Sequence, residues 1–280
     1  MVAPEKQEAH KKTEQKKTVV VRGKGMMGLT LSFFILYAQD LPDSFTTATV
    51  SLRYAFTRTI SARLTLPYRY NEGKYITSDT VRVKLYGLSD ILLEGRWRQT
   101  LKTVQVGRLY LRRIQLGTIA GLRIGSGKCD ERDENGDLVP VRYQLGVGTT
   151  NPYLGVELRW RPEFAHTFSL LLQYQFNSKN KAGYERGDYL TAKLSYGFTT
   201  RTFHIGGGPL VLSVLQHDRQ DGVIVPDTRG EFIYLEAEAS YRLTPSVNLT
   251  FYARYLLSST SAESENALRW QVGVGFMVSF

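Results

Sequence analysis

The sequence predicts an all-β chain, a closed antiparallel up-and-down transmembrane β-barrel of about twelve strands. Three observations predict it. Apolar and polar residues alternate through segments about ten residues long, the length that crosses a bilayer as a tilted strand. The connections between these segments alternate between short and long. The last fourteen residues, Ala267 to Phe280, keep the alternation almost unbroken and stop on an aromatic side chain.

The elements follow in order. Residues 1–25 are polar, with EKQEAHKKTEQKK carrying most of the charge, and read as a disordered arm or, alternatively, an interaction tail. The barrel is assigned to residues 26–280. Its first strand, 26–39, sets Met27, Leu29, Leu31, Phe33, Ile35 and Tyr37 on one face and Gly28, Thr30 and Ser32 on the other, before a DLPD turn. The same stretch within VVVRGKGMMGLTLSFFILYAQD also has the form of a signal peptide, with a basic start, an apolar run and a cleavage point after Ala38. Large Leu36 stands against cleavage, and a closed barrel needs the extra strand for an even count, so the strand reading is adopted. On that reading no export signal remains in the sequence.

Further apolar faces follow at Val50, Leu52, Tyr54, Phe56; Ile60, Ala62, Leu64, Leu66, Tyr68; and Ile91, Leu93, Trp97. Beyond the middle come Leu154 to Trp160, Phe168 to Phe176, Leu190 to Phe198, Ile233 to Tyr241 and Leu249 to Leu257 at every second position. In the final strand Leu268, Trp270, Val272, Val274, Phe276, Val278 and Phe280 share one face. The connections at 57–59, 161–164, 199–202 and 244–246 are short, whereas those near 71–80, 126–141, 177–187, 217–230 and 258–266 are long and polar. Short periplasmic turns and long extracellular loops are the habit of outer-membrane barrels. A soluble β-sandwich, which would come out without detergent, has no reason to sort its loops by length.

Composition sets limits. Seventeen Tyr and thirteen Phe suit aromatic girdles, and large soluble β-proteins share that enrichment. No run of eighteen or more uncharged apolar residues exists, so no transmembrane helix is expected; an alternating barrel would escape such a search. The single Cys129 excludes an intramolecular disulfide and a multi-cysteine zinc site. The net charge of +10 invites a nucleic-acid reading, but the arginines are dispersed at strand spacing, so no nucleic-acid partner is expected.

Four stretches resemble one family, the outer-membrane barrels grouped with the meta-pathway of phenol degradation. TATVSLRYAFTRTISARLTLPYRY is similar to its paired early strands, YGLSDILLEGRWR to a GLGD strand opening, LGTIAGLRIGSGK to an LPTG strand end, and YQLGVGTTNPYLGVEL to a later glycine-rich segment. Their order holds from about residue 26 to the C-terminus. The sequence departs from the pattern at RIGSGKC, which lacks the proline, and at Ala55-Phe56, which replaces the turn glycine. The resemblance implies an outer-membrane barrel for passage of small hydrophobic or aromatic compounds, and it brings no catalytic motif.

Opposite the apolar faces, the expected lumen wall holds Arg53, Arg63, Arg69, Arg82, Lys84, Arg96, Arg98, Arg123, Lys193, Arg242, Arg254 and Arg269, against Asp90, Glu94, Glu157, Glu236 and Glu238. An open pore with this excess attracts anions, because a low-dielectric wall focuses the field. The alternative is that these charges pair across neighbouring strands and fill a narrow barrel. In CDERDENGD, Glu131, Asp133 and Asn135 precede Gly136 with partial calcium-loop spacing, but Arg142 occupies the position of the bidentate acid, so a solvated loop is expected. GSGK (125–128) lacks the earlier glycine and the helix of a phosphate loop. His204 and Ser213 lie nine residues apart in one strand, too far for a nucleophile and its base, and His166 and His217 have no obvious partner. No enzyme, metal or cofactor is expected.

The sequence therefore reads as an outer-membrane channel or transporter for passive passage of small molecules, hydrophobic or aromatic compounds or anions among them. The alternative is a closed structural or adhesion barrel acting through its loops. The expected partners are the outer-membrane bilayer, a small solute and the barrel-insertion machinery, for which terminal Phe280 looks like the recognition signal.

Overall fold

The computed structural model describes residues 28–40, 43–76, 80–106, 109–133, 135–140, 143–162, 165–260 and 268–280. The N-terminal arm assigned to 1–25 lies outside the described residues. Twelve strands close into a barrel: β1 (Gly28–Asp40), β2 (Asp43–Ala55), β3 (Ile60–Ile76), β5 (Ile91–Val106), β6 (Leu109–Ile124), β7 (Asn151–Trp160), β8 (His166–Gln175), β10 (Tyr189–Thr199), β11 (Phe203–Val214), β14 (Gly230–Thr244), β15 (Val247–Ser259) and β16 (Trp270–Ser279). Every pairing is antiparallel, and β1 joins β16 along ten residues from Thr30↔Ser279 to Gln39↔Trp270. Closure leaves no sheet edge within the bilayer, which is the condition for backbone polar groups to cross lipid.

β4 (Thr80–Leu88) lies outside the ring. It pairs with the upper half of β3, from Tyr68↔Leu88 to Ile76↔Thr80, while β5 takes the lower half of β3 from Ile60↔Trp97 to Thr65↔Leu92. The β3–β4 hairpin thus projects past the barrel on the long-loop rim. The other additions are also on that rim: β9 (Tyr184–Glu185), β12 (Arg219–Gln220) and β13 (Val223–Ile224) form a small three-stranded sheet that ties the loop after β8 to the loop after β11. Tyr184 Oη–H donates to Asp218 across it. The short turns at 56–59, 161–165, 200–202 and 245–246 gather at the opposite rim, so connection length is sorted as the sequence suggests; only the tight Asp40↔Asp43 turn joins the long-loop side.

The period of two places the apolar set outward. Leu31, Ile35, Leu52, Leu66, Leu93, Leu154, Val156, Leu172, Leu194, Leu235, Phe251 and Val274 are all exposed, a band that only lipid can cover. Aromatic pairs border it at both ends. Tyr37–Trp270 and Tyr174–Phe176 lie toward the long loops, with centroids 5.4 and 4.5 Å apart, while Tyr54–Phe56 and Trp160–Phe168 lie toward the short turns at 4.9 and 5.4 Å. Such rings suit the interface, one side apolar and the other wet.

Inward positions are small where a partner ring needs space. A Cβ at Gly273 would stand 2.5 Å from Phe34 Cε1 and 2.8 Å from the Ile35 carbonyl, and Phe34 in turn meets Tyr252 edge-on at 6.3 Å. Gly273→Val is therefore expected to lower unfolding stability by about 1–3 kcal/mol through overpacking. Urea titration of the refolded barrel, followed by its heat-modifiable band, checks this, and an unchanged midpoint counts against the packing.

Candidate lumen site

The loop between β6 and β7 folds inward over the mouth. Val139, Tyr143, Leu145 and Val147 are buried, and Val139 and Tyr143 pack against Val83 with Phe45 and Leu85 beside them. Tyr143 Oη–H donates to Asp43 Oδ2 at 2.8 Å, Asn71 Nδ2 donates to the Tyr143 carbonyl at 2.7 Å, and Gln144 Nε2 donates to the Val139 and Glu131 carbonyls at 2.9 and 3.0 Å. Asp90 clamps both ends of the segment: Oδ2 accepts from Val147 N and Arg123 Nε, each at 2.9 Å, and Oδ1 from Gly127 N at 3.3 Å. Asp133 Oδ1 caps the backbone of Asn135 and Asp137, both at 2.9 Å, Gly125 and Gly127 pack on the 145–149 backbone, and no metal-holding group of His, Cys, Asp or Glu is found among the described residues. Arg142 lies outside the described residues. Burial, with Asp130 and Asp90 nearby, pushes the Cys129 thiol up from its ordinary value.

Arg82 does not line the lumen. With Lys84 it is exposed on the outer face of the β3–β4 hairpin, where Glu72↔Lys84 and Lys74↔Arg82 face each other above the Tyr70↔Tyr86 pair. The hairpin stands beyond the bilayer, so its outer face meets water while its inner face, with Val83 and Leu85, meets the folded-in loop; the polarity of the two faces is inverted relative to the barrel below. Lys84 Nζ pairs with Glu72 Oε1 at 3.1 Å, which holds the Glu72 carboxyl below its ordinary value and raises the Lys84 ammonium.

Most of the other wall positions line the lumen. On the β2–β7 side Arg63 meets Glu94 Oε1 at 2.8 Å, and Arg96 reaches both Glu94 at 3.2 Å and Glu157 at 3.8 Å. Glu157, nearly buried, also takes Arg98 at 3.1 Å and Arg159 at 2.6 Å. Arg53 Nη2 donates to Ser61 Oγ at 3.3 Å. Across the lumen Glu236 accepts from Tyr252 Oη–H at 2.5 Å, forms an ion pair with Lys193 Nζ at 2.6 Å outside hydrogen-bond geometry, and lies 3.8 Å from Arg254 Nη1. Arg254 stacks over the Tyr234 ring at 4.5 Å. Glu238 meets His204 Nε2 at 3.0 Å near the short-turn rim. Arg242 and Arg269 are exposed at the two ends of the wall, Arg242 beside the β14–β15 turn and Arg269 just ahead of β16. Arg159 and Tyr252 enter the networks although sequence reading passed over them; strand parity, opposite Trp160 and Phe251, was the signal available.

The lumen keeps open space. A lower cavity of about 590 Å³ is lined by Arg63, Arg96, Glu157, Arg159, Lys193, His204, Glu236 and Glu238. An upper one of about 250 Å³ is lined by Leu36, Phe45, Arg69, Arg123, Tyr189, Arg254 and Leu268, among others. Arg254 faces the upper space and its neighbours Glu236 and Tyr252 the lower, so this cluster marks the boundary. Ser213 points outward beside Leu190 while His204 points inward, so the two do not meet.

Residues 139–276 match the family described as the MetA-pathway of phenol degradation. The match covers just under half of the chain, which is thus similar to that family. The match takes in the YQLGVGTTNPYLGVEL segment and leaves the three earlier stretches outside it. No curated protein matches the sequence. Among solved structures, the fold resembles an outer-membrane channel from Pseudomonas putida F1, 12% identical, covering 92% of this chain and 96% of that one with a TM-score of 0.64. It also resembles the NanC porin, 11% identical, covering 89% and 98% with a TM-score of 0.50. At these identities the likeness is one of fold. The lipid-facing band and these likenesses are those of a closed barrel that spans a bilayer.

Proposed function

We propose that this barrel is a passive channel for small solutes that favours anions. The observation that carries this reading is the pair of stacked cavities in the lumen, whose lining guanidinium and ammonium groups outnumber the carboxylates. The surplus lies in a low-dielectric tube, where wall charge acts on a passing ion with little screening. The channel and the porin of similar fold fit the reading.

Planar-bilayer recording in a salt gradient tests it. The expected result is small anion-selective steps whose reversal potential moves toward zero when Arg96 and Arg254 are both replaced by Gln. Silence from correctly folded protein would sink the channel reading and favour a closed barrel, with the inward-folded 126–150 loop as its seal and the outer loops as its working parts.

Assembly makes a second expectation. Phe280 N donates to the Leu29 carbonyl at 2.9 Å, while its ring is 74% exposed at the short-turn rim and free to be read by insertion machinery. Phe280→Ala is expected to lower the folded barrel recovered from the outer membrane without moving the urea midpoint of protein refolded in detergent. Equal recovery in cells would remove the assignment.

A further inference from the structure

We infer that the upper lumen cavity is a binding site for a small aromatic monocarboxylate, an inference that rests on the channel reading and narrows its substrate class. The cavity has two kinds of wall. Leu36, Phe45 and Tyr189 offer apolar and aromatic surface, and Arg69, Arg123 and Arg254 offer guanidinium groups with no carboxylate among the lining residues. Its volume of about 250 Å³ falls below the roughly 300–1,000 Å³ of sites that take drug-sized ligands, so a single ring with one short substituent is the scale that fits.

Arg254 is the group that asks for the carboxylate. Its Nε is buried and has no hydrogen-bond partner. The nearest acid, Glu236, stands 3.8 Å from Nη1, with Oε1 committed to Tyr252 and Oε2 paired with Lys193. The guanidinium carbon stands 4.5 Å over the centre of the Tyr234 ring, a cation–π contact that helps hold the group in place. Arg123 differs, because its Nε is already spent on Asp90. A bound carboxylate would add charge-assisted bonds at the terminal nitrogens of Arg254, which lines the cavity, and a planar body would lie against Phe45 and Tyr189. Three guanidinium groups in a lining that holds no carboxylate favour an anion, so such a site discriminates against neutral analogues more strongly than apolar contact alone does.

The test uses the full chain refolded in detergent, with benzoate, phenol and acetate as probes, followed by calorimetric titration and by interruptions of single-channel current. Benzoate is expected to bind at least about tenfold more tightly than acetate, which lacks the body, and than phenol, which lacks the charge. Arg254→Met is expected to weaken benzoate at least about tenfold. Leu36→Trp, which fills the cavity and leaves every charge in place, is expected to abolish binding. Arg161→Gln, at the exposed end of the lower cavity, should leave it unchanged. Benzoate binding no tighter than acetate would overturn the proposal, as would equal affinity in Arg254→Met. A conducting channel that binds no benzoate sinks the site and keeps the channel; specific binding by a silent barrel does the reverse.

Discussion

Asp90→Ala is expected to release the 126–150 loop from the mouth and to raise single-channel conductance. Asp90 is only 2% exposed, and its carboxylate holds Arg123 from β6 together with backbone N–H groups at both ends of the loop. Removing it orphans two buried donors and leaves one guanidinium uncompensated, a loss of about 3–5 kcal/mol for the broken buried pair. Part of that cost disappears if the loop lifts and water reaches Arg123, which is why loop release is the expected outcome. Protease cleavage after Lys128 or Arg132 should become faster in the variant, with the barrel core intact. Asp90→Asn keeps one acceptor and should give a smaller effect in the same direction. A loop that stays protected, with conductance unchanged, would show that Tyr143 and its bonds to Asp43 and Asn71 hold the segment without Asp90.

Glu157→Gln should act on the opposite part of the lumen. Glu157 lies at the centre of three guanidinium groups, with Arg159 at 2.6 Å, Arg98 at 3.1 Å and Arg96 at 3.8 Å. Without its charge these three repel across a narrow wall. Breaking a buried pair costs about 3–5 kcal/mol, and lumen water places this site at the lower end of that range. Two readings separate the electrostatic effect from simple loss of packing. The urea midpoint should fall less in high salt than in low salt, because screening relieves the repulsion. Anion selectivity should rise, since the wall keeps its arginines and loses a carboxylate. A midpoint that falls equally at every salt concentration would assign the effect to packing.

The residues that became the site were legible to different degrees. Arg63, Arg96, Arg98, Arg123 and Arg254 were visible because each sits one position away from an apolar residue that faces lipid, and a strict period of two leaves no other direction. Arg82 obeyed the same period and was still placed on the wrong side, because alternation gives parity but not the medium. Below the rim the apolar face must look outward into lipid; in the β3–β4 hairpin, above the rim, it looks inward onto Tyr143. Asp90 was read as a wall charge, yet its three partners include backbone 37 and 57 residues away. No local pattern carries contacts of that range.

Strand direction and which side chains meet lipid below the rim were determined by the sequence alone, since alternating ten-residue segments must satisfy both backbone hydrogen bonding and an apolar solvent; that the first segment is a strand was decided by its pairing with β16. The pairing of charges inside was decided by the tertiary structure. Whether Arg254 finds a carboxylate, or Glu157 finds three arginines, depends on strand stagger and on barrel closure across residues far apart in the chain. The inward course of the 126–150 loop was decided there as well, because its polar groups fold over the mouth only when Asp43, Asn71 and Asp90 stand ready to receive them.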